Sequence, residues 1–429
     1  MPIFPGDFLW GATVSAHSVE GADYASDWWR WEQRPDRIQG GATSQVAAGH
    51  LERFAADAAL ARKLGHNAVL LSLSWPRIEP EPGHFDQEAL AHYGAVLQSV
   101  RAHDLEPLCV LQHGTVPAWL DAQGAWEQPQ AAGFFAAYTK QVAAALGALC
   151  RWWIPLFEPE HGLTMAYREA RWPGAKRRIL GYRVAAAALA RAQALAYAAL
   201  HEGQDNVRVG ASVRGDGIEA LDGHSPWDLR AARWEQARRN HTYLARLTGL
   251  SQAERPFDFI GVSDGGRHRV RFAALSPRSG LVRTTDDLGR DASAEEGTPD
   301  PEGLGGILTG LKPYGVPLLL TGAGVATADD AVRCAFLYRC LAALKASLER
   351  GDAPELRGFF YRSLLDGFEW TRGYTARYGL VHVDWSTLAR TPNGSAFLYK
   401  DVCERGWFRQ GSLDRFCPGW ESFDGVMRS

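Results

Sequence analysis

Apolar residues fall along this chain in short, nearly unbroken runs. Eight of them are rich in β-branched and aromatic residues: Phe8–Thr13, Ala68–Trp75, Pro107–Leu111, Trp152–Phe157, Val207–Val213, Phe257–Val262, Pro317–Thr321 and Gly358–Leu365. A run that is apolar at successive positions predicts a strand covered on both faces, as in a parallel sheet packed beneath helices. Between the runs, apolar positions recur every three or four residues. Leu51, Phe54, Ala58, Ala61 and Leu64 share one helical face, and Gly65 follows as a stop signal. Leu90, Tyr93, Leu97 and Val100 share another, with Asp86 placed to cap it. The stretch from Arg183 to Leu200 is alanine-rich, and Thr327 is placed to cap a helix carrying Leu337, Leu341, Leu344 and Leu348. Eight strand-then-helix alternations predict an α/β chain folded as a single (β/α)8 TIM barrel over residues 1–429, with a doubly wound open sheet as the alternative.

Two stretches break the rhythm. Residues 276–303, rich in Ser, Thr, Asp, Gly and Pro, predict a long loop over the barrel mouth. Residues 406–429 carry Trp407, Phe408, Phe416, Trp420 and Phe423, and predict an apolar strap across the barrel. No composition shift marks a domain boundary.

Composition narrows the function classes. Among 429 residues, 46 are Lys or Arg and 49 are Asp or Glu, so the basic excess of a nucleic-acid binder is absent. Apolar residues at 46 % and charged residues at 22 % describe a folded globular chain. The sixteen tryptophans stand out, because an indole offers a flat apolar face suited to stacking on sugars. The start, Met1-Pro-Ile-Phe-Pro-Gly-Asp-Phe-Leu-Trp10, lacks the basic and apolar segments of a signal peptide, and no run spans a bilayer. A cytoplasmic location with no membrane partner is expected. The six cysteines show no metal or redox spacing; Cys403 and Cys417 are the pair nearest to a disulfide under oxidation. No metal or cofactor is implied.

In such a barrel, chemistry comes from the C-terminal ends of the strands. Those ends read Gln112-His113-Gly114, Phe157-Glu158-Pro159-Glu160, Arg214-Gly-Asp216, Ser263-Asp264-Gly265, Thr321-Gly322-Ala323-Gly324 and Asp366-Gly-Phe-Glu369-Trp370. Carboxylates, a histidine and aromatics around one mouth suit proton transfer on a neutral polyol. Gly261-Val-Ser-Asp-Gly265 matches a serine nucleophile elbow, but that motif turns into a helix, whereas Arg267–Phe272 alternates like a strand. Gly303-Leu-Gly-Gly306 lacks the Lys-Ser/Thr of a phosphate loop and reads as a helix entry.

Several ordered motifs carry a resemblance over nearly the whole chain. They are Phe8-Leu-Trp-Gly-Ala with Val19-Glu-Gly21, Ser72-Leu-Ser-Trp-Pro-Arg-Ile78, Trp153-Ile with Glu158-Pro159, and Pro301-Glu-Gly-Leu304. Ser363-Leu-Leu-Asp-Gly-Phe-Glu-Trp370, Gly373-Tyr374, Tyr378-Gly-Leu380, Val383-Asp384 and Arg390-Thr-Pro392 complete the set. In these the chain resembles the family 1 glycoside hydrolases, retaining β-glycosidases on a TIM barrel. The resemblance sets Glu158 at the general acid/base. It also sets Gly322 where the family's Ile-Thr-Glu-Asn-Gly motif carries the nucleophile, and glycine cannot attack an anomeric carbon. The nucleophile's partners change too: Leu70 stands for an Arg and Asp264 for a Tyr. An Arg left buried without its carboxylate would cost several kcal/mol, a penalty that Leu removes.

Among residues that the resemblance assigns to sugar binding, His113, Glu369 and Trp370 are kept. Ser18 stands for Gln, Phe157 for Asn, Gly114 for Trp and Arg362 for Trp. Trp119 and Trp126, after the third strand, are expected to stack on sugar at the entrance, while Trp75, Trp152, Trp153 and Glu20 are expected in the core. The expected function is a glycoside hydrolase-like enzyme acting on O-glycosidic bonds of a carbohydrate by a non-standard mechanism. Glu158 serves as general acid, and Asp264 as base in an inverting reaction, which needs carboxyls about 6.5–9.5 Å apart against about 5–5.5 Å for retention. The other reading of Asp264 is an Asx turn in Ser-Asp-Gly-Gly; Asp216, Glu160 and Asp366 are weaker base candidates. Two alternatives stand beside this function: a transglycosidase or glycan-synthesising enzyme using an activated donor, and a catalytically inactive carbohydrate-binding barrel.

Overall fold

The computed structural model describes residues 4–174, 179–202, 206–250, 255–276, 280–285, 292–293, 295 and 297–424. Nine strands form the main sheet: β1 (Leu9–Val14), β2 (Ala68–Ser72), β3 (Glu106–Gln112), β4 (Trp152–Leu156), β5 (Arg208–Ala220), β6 (Phe259–Ser276), β7 (Gly280–Thr285), β8 (Leu318–Ala323) and β9 (Leu356–Tyr361). All but β7 pair in parallel, in the order β1 to β6, then β8, then β9, and β9 returns to β1 with Leu9–Ala12 opposite Gly358–Tyr361. The ring is therefore closed, as the eight apolar runs predict. Helices α1 (His50–Lys63), α2 (Gln87–Ala102), α3 (Ala131–Leu146), α4 (Ile179–His201), α5 (Pro226–Leu250), α6 (Leu304–Leu311), α7 (Asp330–Glu349) and α8 (Gly394–Arg405) wrap it.

Alternation along the strands sorts side chains into two cores. Inward positions such as Leu70, Leu108, Ile154, Phe259, Leu319 and Phe360 fill the barrel with a dry plug. Outward positions pack beneath the helices, where Trp75, Tyr93, Trp153 and Tyr361 are fully buried. Gly11 has a specific reason to be glycine: a Cβ there would overlap the Ala68 carbonyl and the Phe360 ring. Asp86 caps α2 by accepting from the backbone N–H of Ala89 at 3.1 Å, as expected. The cap of α7 is Asp329 rather than Thr327, whose hydroxyl instead accepts from the Asp329 N–H at 3.0 Å.

Two strands overrun the barrel. Polar residues extend β5 to Ala220 and β6 to Ser276, so Ser263 lies within a strand and no serine elbow forms. β7 pairs antiparallel with the end of β6, which corrects the reading of 276–303 as loop throughout. The physical reason is burial: Val270 and Val282 on this ribbon close over Ala231 and Ala232 of α5. Residues 286–291 lie outside the described residues. The C-terminal stretch runs along α7, where Trp407, Phe408 and Trp420 surround the Tyr338 ring. All six cysteines are free thiols. Among the described residues, no helix is long and apolar enough to cross a membrane.

A buried ion network anchors the overrun. Arg239 of α5 reaches Asp216 on β5 at 3.2 Å, Glu235 at 2.9 Å and the Thr284 hydroxyl on β7 at 2.9 Å. Burial pushes the Asp216 carboxyl up, but His268, Arg214 and Arg239 outweigh it and hold the group well below the usual range. Replacing Arg239 with Leu leaves two buried carboxylates short of a partner, and is expected to lower unfolding free energy by about 3–5 kcal/mol in urea titrations. An unchanged midpoint would show that this network does not secure the hairpin.

Candidate active site

The strand C-termini surround one cavity of about 920 Å³, counted with its open mouth. β4 delivers Glu158 to its wall through an unusual backbone step. Glu158 adopts φ 47° and ψ 47°, a left-handed conformation that costs a non-glycine residue about 1–2 kcal/mol. This step ends the strand and starts the short helix Pro159–Leu163, while the Glu158 N–H donates to Ser212 Oγ at 3.2 Å. Ser263 on β6 donates its hydroxyl to Glu158 Oε1. The second carboxylate oxygen accepts no hydrogen bond from the described residues, so it can meet a ligand.

Gly322 lies on the opposing strand β8, paired with Ser263 across an irregular step in the ladder. A Cβ built there would meet nothing nearer than Ser263 Cβ at 3.5 Å and Arg362 Cβ at 3.9 Å. The wall at this point is thus open, with room for a side chain that the chain does not supply. Leu70 lies below as part of the barrel plug.

Asp264 combines its two readings. Its Oδ1 accepts from the Gly266 N–H at 2.9 Å, which is an Asx turn, and the side chain also lines the cavity. Burial pushes its pKa up to about 7, against a smaller opposing effect of the Gly266 hydrogen bond and the Arg214 charge.

Arg362 and Arg214 both line the cavity, and Arg362 keeps N–H groups unpaired among the described residues. Its Nη2 donates to Glu369 at 2.7 Å, and its guanidinium lies 4.0 Å from the Tyr378 ring centre. The other N–H groups of Arg362 have no protein acceptor among the described residues. His113 places Nδ1 3.0 Å from Ser15 Oγ, and its ring packs 4.6 Å from Phe157. Burial, followed by the charges of Arg362 and His17, lowers its pKa to about 3, so His113 stays neutral and works as a hydrogen-bonding group.

A profile described as glycosyl hydrolase family 1 matches residues 2–249 and 281–407. The chain belongs to glycosyl hydrolase family 1. Thermostable beta-glucosidase B of Thermobispora bispora is 30 % identical over 95 % of this chain and 92 % of its own length. Beta-glucosidase A of Thermotoga maritima is 28 % identical over 93 % and 97 %. Among solved structures, a beta-glycosidase from Pyrococcus horikoshii superimposes with a TM-score of 0.88 at 28 % identity, covering 97 % of this chain and 98 % of that one. The profile match omits the stretch containing β6. Ser263 and Asp264 therefore stand on a strand outside the two matched stretches.

The other expected residues divide. Ser18, Phe157, Glu369 and Trp370 line the cavity with Glu158. Trp370 fills the space over side-chain-less Gly114, where a Cβ would lie 2.5 Å from its ring, and stacks on His17 and Trp172. Trp119 is a correction: its indole N–H donates to the Glu79 carbonyl at 3.0 Å and its ring packs on Phe134, away from the cavity. Trp126 is buried against Trp75 and lines a second cavity of about 730 Å³ behind Phe157. Asp216 and Glu160 are tied into the ion network, and Asp366 is held by Arg377 at 2.7 Å and the Gly379 N–H at 3.0 Å. None of these three reaches the main cavity.

Glu295 is the residue that the sequence did not single out. It comes from the 276–303 stretch and lines the cavity, yet Thr371, Trp172 and Arg171 all bond its carboxylate. Its only signal was an acidic residue in a stretch expected over the mouth. Gly114 offers a direct check of how tightly this wall is packed. Its φ of +71° and the adjacent indole mean that Gly114→Ala should destabilise the chain by about 1–3 kcal/mol and alter the near-UV dichroism of the tryptophans. An unchanged spectrum and urea midpoint would contradict the packing of Trp370 described above.

Proposed function

We propose that the chain cleaves O-glycosidic bonds of β-glycosides by a single displacement at the anomeric carbon. The observation carrying this reading is the pairing of an anchored Glu158 with an open wall at Gly322. Glu158 protonates the departing glycosidic oxygen through its free carboxylate oxygen. Water enters from the Gly322 side, and Asp264 takes its proton as the new bond forms. The sugar therefore leaves with inverted configuration. Neutral His113 and Glu369, which Arg362 holds in place, bind sugar hydroxyls, with Trp370 as the apolar wall. A sugar-sized ligand is supported by the Thermotoga maritima beta-glucosidase structures bound to deoxynojirimycin and castanospermine, which superimpose with TM-scores of 0.85 and 0.85.

Three outcomes are expected. With aryl β-glycosides, proton NMR shows the α-sugar forming first; β-sugar as first product would overturn the reading, as would oligosaccharide binding with no turnover at all. Glu158→Gln lowers kcat by about 10²–10⁴-fold, least for aglycones that leave without protonation. The kcat profile rises with pH through about 7 as Asp264 ionises, and this limb vanishes in Asp264→Asn.

Linkage gives the same group a stability signature. A carboxyl whose pKa is raised by folding stabilises fully below the unfolded value of about 4. That contribution fades as pH climbs through about 7. Asp264→Asn, which keeps the turn acceptor, should therefore gain stability relative to the parent above pH 7 in thermal melts; a constant difference from pH 4 to 8 would refute the shift.

A further inference from the structure

We infer that the acceptor seat beside Gly322 takes inorganic phosphate, so that the chain also cleaves its glycoside by phosphorolysis. This rests on the single displacement proposed above and specifies what attacks. A glutamate side chain and a phosphate ion have the same number of heavy atoms, and Gly322, where a Cβ would meet nothing nearer than 3.5 Å, faces the cavity of about 920 Å³.

Several groups lining that cavity are donors. Arg362, whose Cβ lies 3.9 Å from a Cβ built on Gly322, keeps N–H groups free beyond its bond to Glu369. Guanidinium is the side chain best matched to a phosphate edge. Thr321, next to Gly322, has a fully buried hydroxyl with no hydrogen-bond partner and lines the same cavity. A buried hydroxyl without a partner costs about 1–3 kcal/mol, which a bound oxyanion would relieve. Ser72 on β2 accepts from the Ala16 N–H at 2.8 Å and so has its own proton to give. Two wall carboxylates are engaged, Glu369 by Arg362 and Glu295 by Thr371, Trp172 and Arg171; of the other two, Glu158 is the acid of the reaction and Asp264 has one oxygen held by the Gly266 N–H. Leu70 in the floor adds no competing charge.

The chemistry balances without any further reactant. A phosphate oxygen bonds to the anomeric carbon from the Gly322 side as the glycosidic C–O bond breaks. The electron pair of that bond goes to the departing oxygen, which takes the proton of Glu158. The proton carried by dihydrogen phosphate then restores Glu158. Glycoside and dihydrogen phosphate thus become α-glycosyl phosphate and free aglycone. Phosphate brings its own nucleophilic oxygen, so this route needs no carboxylate on the attacking face.

The test uses the full chain with aryl β-glycosides over a phosphate titration, following aglycone release and phosphorus NMR. Release should rise saturably, by about tenfold or more, with an α-glycosyl 1-phosphate signal. Arg362→Met should raise the phosphate KM about tenfold, and Thr321→Val by a smaller factor, while the melting temperature stays within the folded range. Sulfate, which binds like phosphate but does not react, should compete with it. Release of inverted free sugar at a rate that added phosphate leaves unchanged, with no glycosyl phosphate signal, would overturn the phosphate inference and leave the single displacement standing. Product of retained configuration would overturn both. Calorimetry reads the site without turnover: phosphate binding that weakens in both variants supports the inference, and no binding to the unaltered chain refutes it.

Discussion

Closure of the parallel ring is the constraint on which everything else rests. Once β9 pairs with β1, eight strands point their C-terminal ends at one rim, and residues hundreds of positions apart become neighbours. Ser263 meets Glu158 across the intervening β5, and Arg362 follows β9 beside Gly322 on β8, while closure through β1 brings Ser15 and Ser18 to the same rim. The same closure traps Leu70, Ile154, Phe259, Leu319 and Phe360 as a dry floor. That floor shapes the chemistry above it, since withdrawal from water pushes Asp264 up and His113 down, leaving each nearer to neutral.

Charge in the cavity is arranged around this low-dielectric floor. Among the described residues, the guanidinium with unpaired N–H groups on the main wall is that of Arg362, and it is held by Glu369 and the Tyr378 ring rather than by a carboxylate at position 322. Arg214, the other cation lining the cavity, is turned toward Asp216, His161 and the backbone carbonyls of Glu295 and Gly265. In the proposed displacement, Arg362 supplies positive charge to the cavity wall that the incoming group approaches, and the acid follows β4. The left-handed step at Glu158 and the hydroxyl of Ser263 keep that acid aimed while the rest of the wall changes.

The barrel was legible because burial on both faces writes itself into consecutive apolar residues, as in Leu318–Leu320 or Ala68–Leu71. The overrun of β5 and β6 was not, because its polar residues are satisfied by partners such as Arg239, 23 positions from Asp216, which no local period reveals. Motif spacing located Glu158, His113, Glu369 and Trp370 on the cavity wall, since each follows a strand end. It misassigned Trp119, because a strand-end position does not say which way a side chain turns once an acceptor such as the Glu79 carbonyl lies nearby. Glu295 stayed hidden because it comes from an irregular stretch brought over the mouth by tertiary contacts with Trp172 and Thr371.

In the proposed single displacement, no side chain of this protein forms a covalent bond to the sugar during turnover. Intact-mass spectrometry after incubation with a 2-deoxy-2-fluoro aryl β-glycoside, which traps glycosyl-enzyme intermediates, reads this out. The expected result is an unchanged protein mass while the reagent is slowly consumed. A mass gain equal to one fluorosugar, mapped to Glu295 or to any other residue, would contradict it.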